Sequence, residues 1–147
     1  MDVHVSDILR HKGNDVVSIE SSATVFDAIK RMVEHNVGSI LVRDGQKLAG
    51  IFTERDYLRR VTLEGREAED TRVAEVMTDK LVFVEPGSSV RECMAIMSQK
   101  KIRHLPVMAG NELAGLLSIG DCVRAISDDA QADVQYLTDF ITGRYPG

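Results

Sequence analysis

The sequence predicts an α/β (α+β) fold of two pseudo-symmetric units, each ordered strand, helix, strand, strand, helix. The main observation is an internal repeat, because residues 16–61 and 81–126 align without a gap. Pairs identical in both copies are Val17/Val82, Glu20/Glu85, Val25/Val90, Met32/Met97, Val42/Val107, Gly45/Gly110, Leu48/Leu113, Ala49/Ala114, Gly50/Gly115, Asp56/Asp121 and Arg59/Arg124. Each copy alone would expose an apolar face, so we expect the two to pack together as one module.

The elements follow from local patterns that recur in both copies. Thr24 and Ser89 are typical helix N-caps, and the apolar residues that follow recur at helical spacing. Glycine after Asp44 indicates a tight turn between two strands. The predicted strands are 16–19, 39–42, 48–52, 81–84, 105–108 and 113–117, and the predicted helices are 25–33, 55–61, 90–97 and 121–126.

Four segments lie outside the repeat. Residues 5–9 predict a short amphipathic helix, and 73–77 resemble them before the second copy. Residues 62–72 are polar and predict a solvated linker, whereas 128–144 carry apolar residues at helical spacing. We therefore divide the chain into 1–64 (first repeat with the N-terminal helix), 65–128 (linker and second repeat) and 129–147 (a C-terminal helical extension).

Composition narrows the class of protein. The 147 residues are 44% hydrophobic and 28% charged, as in globular domains, and no apolar run approaches the ~20 residues of a membrane span. The start lacks the pattern of a signal peptide. Cys93 and Cys122 have no metal-ligand spacing and fit buried, reduced thiols. We expect a cytoplasmic protein, and the net charge of −5 argues against non-specific nucleic-acid binding.

A seven-residue motif occurs once in each copy, as Gly50-Ile-Phe-Thr53-Glu-Arg-Asp56 and as Gly115-Leu-Leu-Ser118-Ile-Gly-Asp121. With the element order above, it resembles the tandem CBS-domain family (the Bateman module), in its small stand-alone bacterial form. The hydroxyl and the aspartate flank a strand-to-helix junction, where free amides favour a phosphate. The hydroxyl can donate to phosphate or sugar, and the carboxylate can accept from ribose hydroxyls. Helix capping is the alternative role of both residues.

The resemblance implies further binding residues. In similar modules the first strand of each repeat contributes backbone contacts to adenine, and the start of the second strand lines the same pocket. Arg103 and His104 resemble a basic pair that touches phosphates, although a solvated basic patch is the alternative. The full set of expected ligand-binding residues is Ser18, Ile19, Glu20, Gly38, Ser39, Thr53, Arg55, Asp56, Phe83, Val84, Glu85, Arg103, His104, Ser118 and Asp121.

The two sites should differ. The second repeat has Gly120 where the first has Arg55, and Gly38-Ser39 replace Arg103-His104. We therefore expect the second site to prefer AMP, the ligand favoured overall, and the first to admit NAD(H) or ATP, with ADP also possible.

The predicted function is an adenine-nucleotide sensor that signals ligand state to an unknown effector protein, and a homodimer is its expected assembly. Alternatives are a structural dimerisation module without ligand and a nucleotide-processing enzyme. No Ser-His-Asp order, paired metal ligands or Walker-type loop is visible. We therefore expect no catalysis, catalytic cofactor or metal, and no nucleic-acid or membrane partner.

Overall fold

The computed structural model describes residues 3–13 and 16–128, which form two compact units. The first-repeat unit comprises residues 16–81, and the second-repeat unit comprises residues 3–13 and 82–128. The predicted C-terminal helical extension, 129–147, lies outside the described residues. Among the described helices, none combines the length and the apolar character needed to cross a membrane.

The first-repeat unit is built on a three-stranded sheet. In chain order its elements are β1 (Ser18–Glu20), α2 (Val25–Glu34), β2 (Ser39–Asp44), β3 (Lys47–Thr53), α3 (Glu54–Asp56) with π-helical turns (Tyr57–Thr62), and 3₁₀ turns at Ala68–Asp70 and Val73–Glu75. The strand order in the sheet is β1-β2-β3, with β1 parallel to β2 and β2 antiparallel to β3. The predicted N-cap is confirmed, since the Thr24 hydroxyl accepts from the Asp27 amide at 3.1 Å.

The second-repeat unit has the same plan with a smaller sheet. Its elements are α1 (Val5–Lys12), α4 (Val90–Lys100), β4 (His104–Ala109), β5 (Glu112–Ser118) and α5 (Ile119–Asp128). Strands β4 and β5 pair antiparallel. The Ser89 hydroxyl caps α4 by accepting from the Glu92 amide at 3.1 Å, as the sequence predicts.

The first strand of the second repeat is shorter than predicted, and two prolines explain why. In the first repeat, the amides of Leu41 and Ser21 donate the hydrogen bonds on either side of the β1–β2 pairing, at 3.0 and 2.8 Å. The corresponding residues of the second repeat are Pro106 and Pro86, which have no amide N–H. Only a single parallel bridge, formed by Val84, therefore remains beside β4.

Each unit is completed by the segment that precedes the other repeat in the chain. The Val73 amide donates to the Ala23 carbonyl at 2.8 Å in the first-repeat unit. The Val5 amide donates to the Ser88 carbonyl at 2.9 Å in the second-repeat unit, at the equivalent place. The predicted boundary at residue 64 groups α1 with the first repeat, as in the order of the sequence. In the structure, α1 belongs to the second-repeat unit instead.

Apolar residues of the helices fill each core. On α2, Val25, Ala28 and Met32 are buried as the periodicity predicts, but Val33 is 74% exposed. On the second-repeat side, Cys93 and Cys122 are buried and unpaired, as expected. Burial raises the pKa of Cys93 to about 11 and that of Cys122 further, so neither thiol is a nucleophile at neutral pH.

The duplicated glycines Gly50 and Gly115 offer a matched test of these packings. A Cβ on Gly50 would lie 2.6 Å from the Thr78 carbonyl oxygen, whereas one on Gly115 would meet the flexible end of Leu9 at 2.7 Å. Backbone cannot yield as a side chain can. We expect Gly50→Ala to destabilise the protein by about 1–3 kcal/mol and Gly115→Ala by less than about 1 kcal/mol. Urea denaturation measures both, and equal costs would contradict this packing.

Candidate functional site

The two motif copies form the same hydrogen-bonded junction, where β3 enters α3 and β5 enters α5. The Thr53 amide donates to Asp56 Oδ2 at 3.0 Å, and the Asp56 amide donates to the Thr53 hydroxyl at 3.2 Å. The Ser118–Asp121 pair repeats this box at 2.8 and 3.1 Å. Each hydroxyl oxygen accepts, so its own proton stays available to donate to a ligand. The capping alternative is therefore realised at both junctions, and it leaves room for a binding role.

Both aspartates are buried, with 7% and 8% exposure for Asp56 and Asp121. Asp56 accepts a hydrogen bond from the Thr78 hydroxyl at 3.1 Å, and the Arg60 Nε lies 3.9 Å from it. A buried carboxylate needs such partners because its desolvation is costly. Sequence reasoning missed Thr78, although the likeness of 73–77 to the N-terminal segment was a signal that this stretch packs on the first repeat.

Gly38 and Ser39 lie beside the first-repeat motif, and Arg55 is part of it. Ser39 pairs with Thr53 across β2 and β3 but is buried, at 3% exposure. The Glu54 amide donates to the Gly38 carbonyl at 3.1 Å, and a Cβ on Gly38 would lie 2.6 Å from Glu54 Oε1. Gly38 thus permits close packing of an acidic side chain. Arg55 is exposed in the first turn of α3.

Strand β1 carries three residues for which backbone contacts to the ligand are expected, and these contacts stay a prediction. Ser18 pairs with Leu41, the third residue of β2, and its carbonyl accepts from Arg31 at 2.5 Å. Ile19 is buried in the core. Glu20 lies towards the opposite end of the sheet, where its carboxylate accepts from the Gly45 amide at 3.2 Å.

The second-repeat junction is surrounded by cations. Lys12 Nζ donates to Asp121 Oδ2 at 2.6 Å, and Arg124 Nη2 donates to Oδ1 at 2.7 Å. Burial alone would raise the pKa of Asp121, but the hydrogen bonds from Lys12 and the Ser118 amide outweigh it and hold this pKa below its ordinary value. Lys12 was not among the predicted site residues, because it is distant in sequence from the motif.

Arg103 and His104 do lie at this junction, as the sequence predicts. The Ile119 amide donates to the Arg103 carbonyl at 2.9 Å, and His104 pairs with Ser118 across β4 and β5. Burial, assisted by the charges of Lys12 and Arg103, lowers the pKa of His104 to about 4, while Asp121 opposes the shift. His104 is therefore neutral at pH 7.

The remaining predicted residues of the second repeat lie in the segment beside strand β4. Phe83 is 47% exposed, whereas Val84 is buried and bonds to β4. The Glu85 amide donates to the Ser88 hydroxyl at 3.2 Å. Within the part of the chain that the structure describes, no group of His, Cys, Asp or Glu side chains could hold a metal ion.

A comparison with protein families accounts for the duplicated junction. The CBS domain matches residues 4–62 and again residues 73–128, which together cover most of the chain. This chain belongs to the CBS-domain family. The two matches confirm the tandem CBS arrangement that the internal repeat predicts.

Curated relatives and solved structures agree with this assignment. The chain is 39% identical to the CBS domain-containing protein CBSX3, mitochondrial, of Arabidopsis thaliana, covering 96% of this chain and 73% of the relative. It is 37% identical to the CBS domain-containing protein YhcV of Bacillus subtilis, covering 72% and 75%. A Burkholderia ambifaria CBS-domain structure, whose description suggests signal transduction, superposes with a TM-score of 0.84 at 44% identity, covering 90% and 99%. The mixed α/β fold of two CBS units is thereby confirmed.

The lowered pKa of His104 predicts how the stability of the protein changes at acidic pH. The unfolded chain has the ordinary value of 6.5 and the folded protein about 4, so between these values the unfolded chain binds more protons. The stability that neutral His104 contributes is complete above pH 6.5 and is lost as pH falls towards 4. His104→Gln cannot take up this proton. Its urea midpoint should therefore fall less steeply over this range, and a slope equal to that of the parent would contradict the prediction.

Proposed function

We propose that this CBS pair is a regulatory module that binds adenine nucleotides and signals their presence to an effector protein. The observation that carries the proposal is the duplicated junction, in which a hydroxyl with a free proton stands beside a buried carboxylate at a helix start. CBS domains typically bind adenine nucleotides, and this chemistry suits a ribose and its phosphate.

Counting acceptors supports ribose recognition by the aspartates. A carboxylate offers about four lone-pair positions. Asp121 uses three, for Ser118, Lys12 and Arg124, and Asp56 uses two, for Thr53 and Thr78. Each carboxylate thus retains capacity for a ribose hydroxyl. Repulsion would exclude a phosphate from the same position unless a cation intervenes.

The surroundings of the two junctions favour unlike ligands. Arg103, Lys12 and Arg124 make the second-repeat junction cationic, which suits the compact, doubly charged phosphate of AMP. The first-repeat junction has Glu54 packed against Gly38 and carries Arg55 in α3. We assign AMP to the second repeat and a longer ligand, NAD(H), ADP or ATP, to the first.

The two alternative functions make different demands. A structural module without ligand would use the same residues as helix caps alone, so nucleotide binding by the parent protein distinguishes it from our proposal. Catalysis would need reacting groups brought together, but Asp56 and Asp121 belong to separate junctions and are both committed to caps. Binding without chemistry is therefore the function that we propose. A cytoplasmic location stays a prediction, and the Arabidopsis relative is mitochondrial by name.

Substitution of the aspartates tests the ribose contacts. Asn keeps an oxygen to accept from the strand-end amide but loses the charge, so the cap persists. We expect Asp121→Asn to weaken AMP binding by about 1.5–3 kcal/mol, the scale of a hydrogen bond to a charged group. Asp56→Asn should do the same at the first-repeat site. Isothermal titration calorimetry measures both.

Ligand chemistry supplies the control for this experiment. 2′-Deoxy-AMP lacks one of the hydroxyls and should bind weakly to the parent, yet lose less than AMP when either aspartate is replaced. Equal losses for the two ligands would place the aspartates away from the ribose. Parent affinity in both folded variants would reject the assignment, and ATP turnover would favour the enzyme alternative.

Assembly is the second part of the proposal. The helix faces that begin at Val25 and Val90 are buried in the core of their own unit, so they are not available for a dimer contact. Phe26 and Val33, at 46% and 74% exposure, form the exposed apolar face of α2. We propose that this face pairs with a second copy, since two-fold dimers are the commonest homo-oligomers.

Light scattering tests the dimer. The parent should show twice the chain mass of 16.3 kDa. Val33→Lys should shift the protein to the monomer, because a charge would be buried in the contact. Leu63→Lys, at a site 79% exposed outside α2, is the matched control and should remain dimeric. A concentration-independent monomer for the parent would contradict the assembly.

A further inference from the structure

Lys12 connects the N-terminal helix to the second-repeat junction. It is the last residue of α1, and its ammonium donates to Asp121 Oδ2 at 2.6 Å and to the Leu116 carbonyl at 2.7 Å. An ammonium has three N–H donors, so one remains unused by these two bonds. The side chain is 33% exposed. Lys12 is therefore held in place by the protein and still accessible to a ligand.

The first-repeat junction provides an internal comparison. There the segment that completes the unit contributes the Thr78 hydroxyl to Asp56, at 3.1 Å. The two junctions share the hydroxyl-to-carboxylate cap. Asp56 accepts from the neutral Thr78 hydroxyl and has the Arg60 Nε 3.9 Å away, beyond hydrogen-bond distance, whereas Asp121 is hydrogen-bonded directly to Lys12 and Arg124. The cap is the same at both junctions, so it cannot make one site prefer a more highly charged ligand than the other. Any such preference must come from the other groups that contact each aspartate.

The electrostatic balance around Asp121 is positive. Lys12 and Arg124 both bond its carboxylate, and Arg103 lies at the adjoining end of β4. The carboxylate is thus hydrogen-bonded to two cations, with a third cationic residue at the neighbouring strand end. Lys12 bonds both the carboxylate and the strand backbone, and these two bonds hold its ammonium in place.

We propose that Lys12 is a ligand-selecting residue of the second-repeat site, whose remaining N–H donates to a phosphate oxygen of the bound nucleotide. This inference rests on the proposed nucleotide-binding function and deepens it. Lys12 bridges the Asp121 carboxylate and the phosphate, which would otherwise repel each other. The second repeat thereby distinguishes a nucleotide from its uncharged nucleoside, and the first repeat does so less.

The test compares AMP with adenosine on single variants of the full chain. Lys12→Met keeps the length of the side chain without its charge, and Lys12→Arg restores the charge. Lys80→Met removes one charge from an exposed position of the first-repeat unit and is the matched control. NMR titration follows the amides of Ser118 and Ile119 for the second-repeat site and those of Thr53 and Glu54 for the first.

Selective loss is the expected result. At the second-repeat amides, Lys12→Met should weaken AMP binding about tenfold to a hundredfold, the range for a hydrogen bond to a charged group. Adenosine binding should stay within about threefold or tighten, since Asp121 loses a competitor for its lone pairs. Lys12→Arg should restore the preference for AMP, and Lys80→Met should leave both affinities unchanged.

Other outcomes overturn the inference in distinguishable ways. Equal weakening of AMP and adenosine, with a lower melting temperature, would give Lys12 a purely structural role. Parent affinity for AMP in Lys12→Met would overturn this inference alone. Absence of AMP-induced shifts at both junctions of the parent would overturn the proposed function as well. Should Lys12→Met fail to fold, Lys12→Gln removes the charge while its amide can still bond the same oxygens, and the same criteria apply.

Discussion

A buried aspartate that bonds back to the end of its own strand is the constraint on which both halves of this molecule depend. Asp56 and Asp121 each accept from the amide of a hydroxyl residue three positions earlier, and that hydroxyl accepts in return. The box satisfies donors that a helix start leaves unpaired. It also leaves the hydroxyl proton and part of the carboxylate lone pairs unused within the box. The same bonds that end the strand therefore create the candidate site.

The difference between the two sites comes from the segments that complete each unit. Residues 71–78 close the first-repeat unit and bring the neutral Thr78 to Asp56, whereas α1 closes the second-repeat unit and brings Lys12 to Asp121. The cap is the same in both repeats, whereas the completing segments, although alike at 5–9 and 73–77, bring different side chains to the carboxylates. Their divergence changes the charge at the carboxylate without disturbing the fold.

Much of the fold could be predicted because the repeat supplied two independent readings of one pattern. The N-caps at Thr24 and Ser89 and the strand–helix junctions were all found where the sequence placed them. Two details could not be found this way. The exposure of Val33 depends on where the helix face turns away from the sheet. The strand around Val84 is reduced to a single bridge because Pro86 and Pro106 lack the amide hydrogens that would bond it to its neighbour, and this depends on which residues pair across the strands.

The candidate site was predictable to the extent that its residues are local in sequence. Thr53 with Asp56 and Ser118 with Asp121 are three residues apart, so their contact follows from helix-start geometry. Lys12 reaches Asp121 across 109 positions, and no local pattern reports such a contact. Glu20 was assigned a backbone contact by resemblance, and this assignment stays a prediction; its carboxylate accepts from the Gly45 amide.

A crystal structure of the protein grown with AMP would test the central claim most directly. The account predicts that a ribose hydroxyl lies within hydrogen-bond distance of the Asp121 carboxylate, with the phosphate near the Ser118 hydroxyl. AMP bound away from both Asp121 and Asp56, or no bound nucleotide at a saturating concentration, would contradict it.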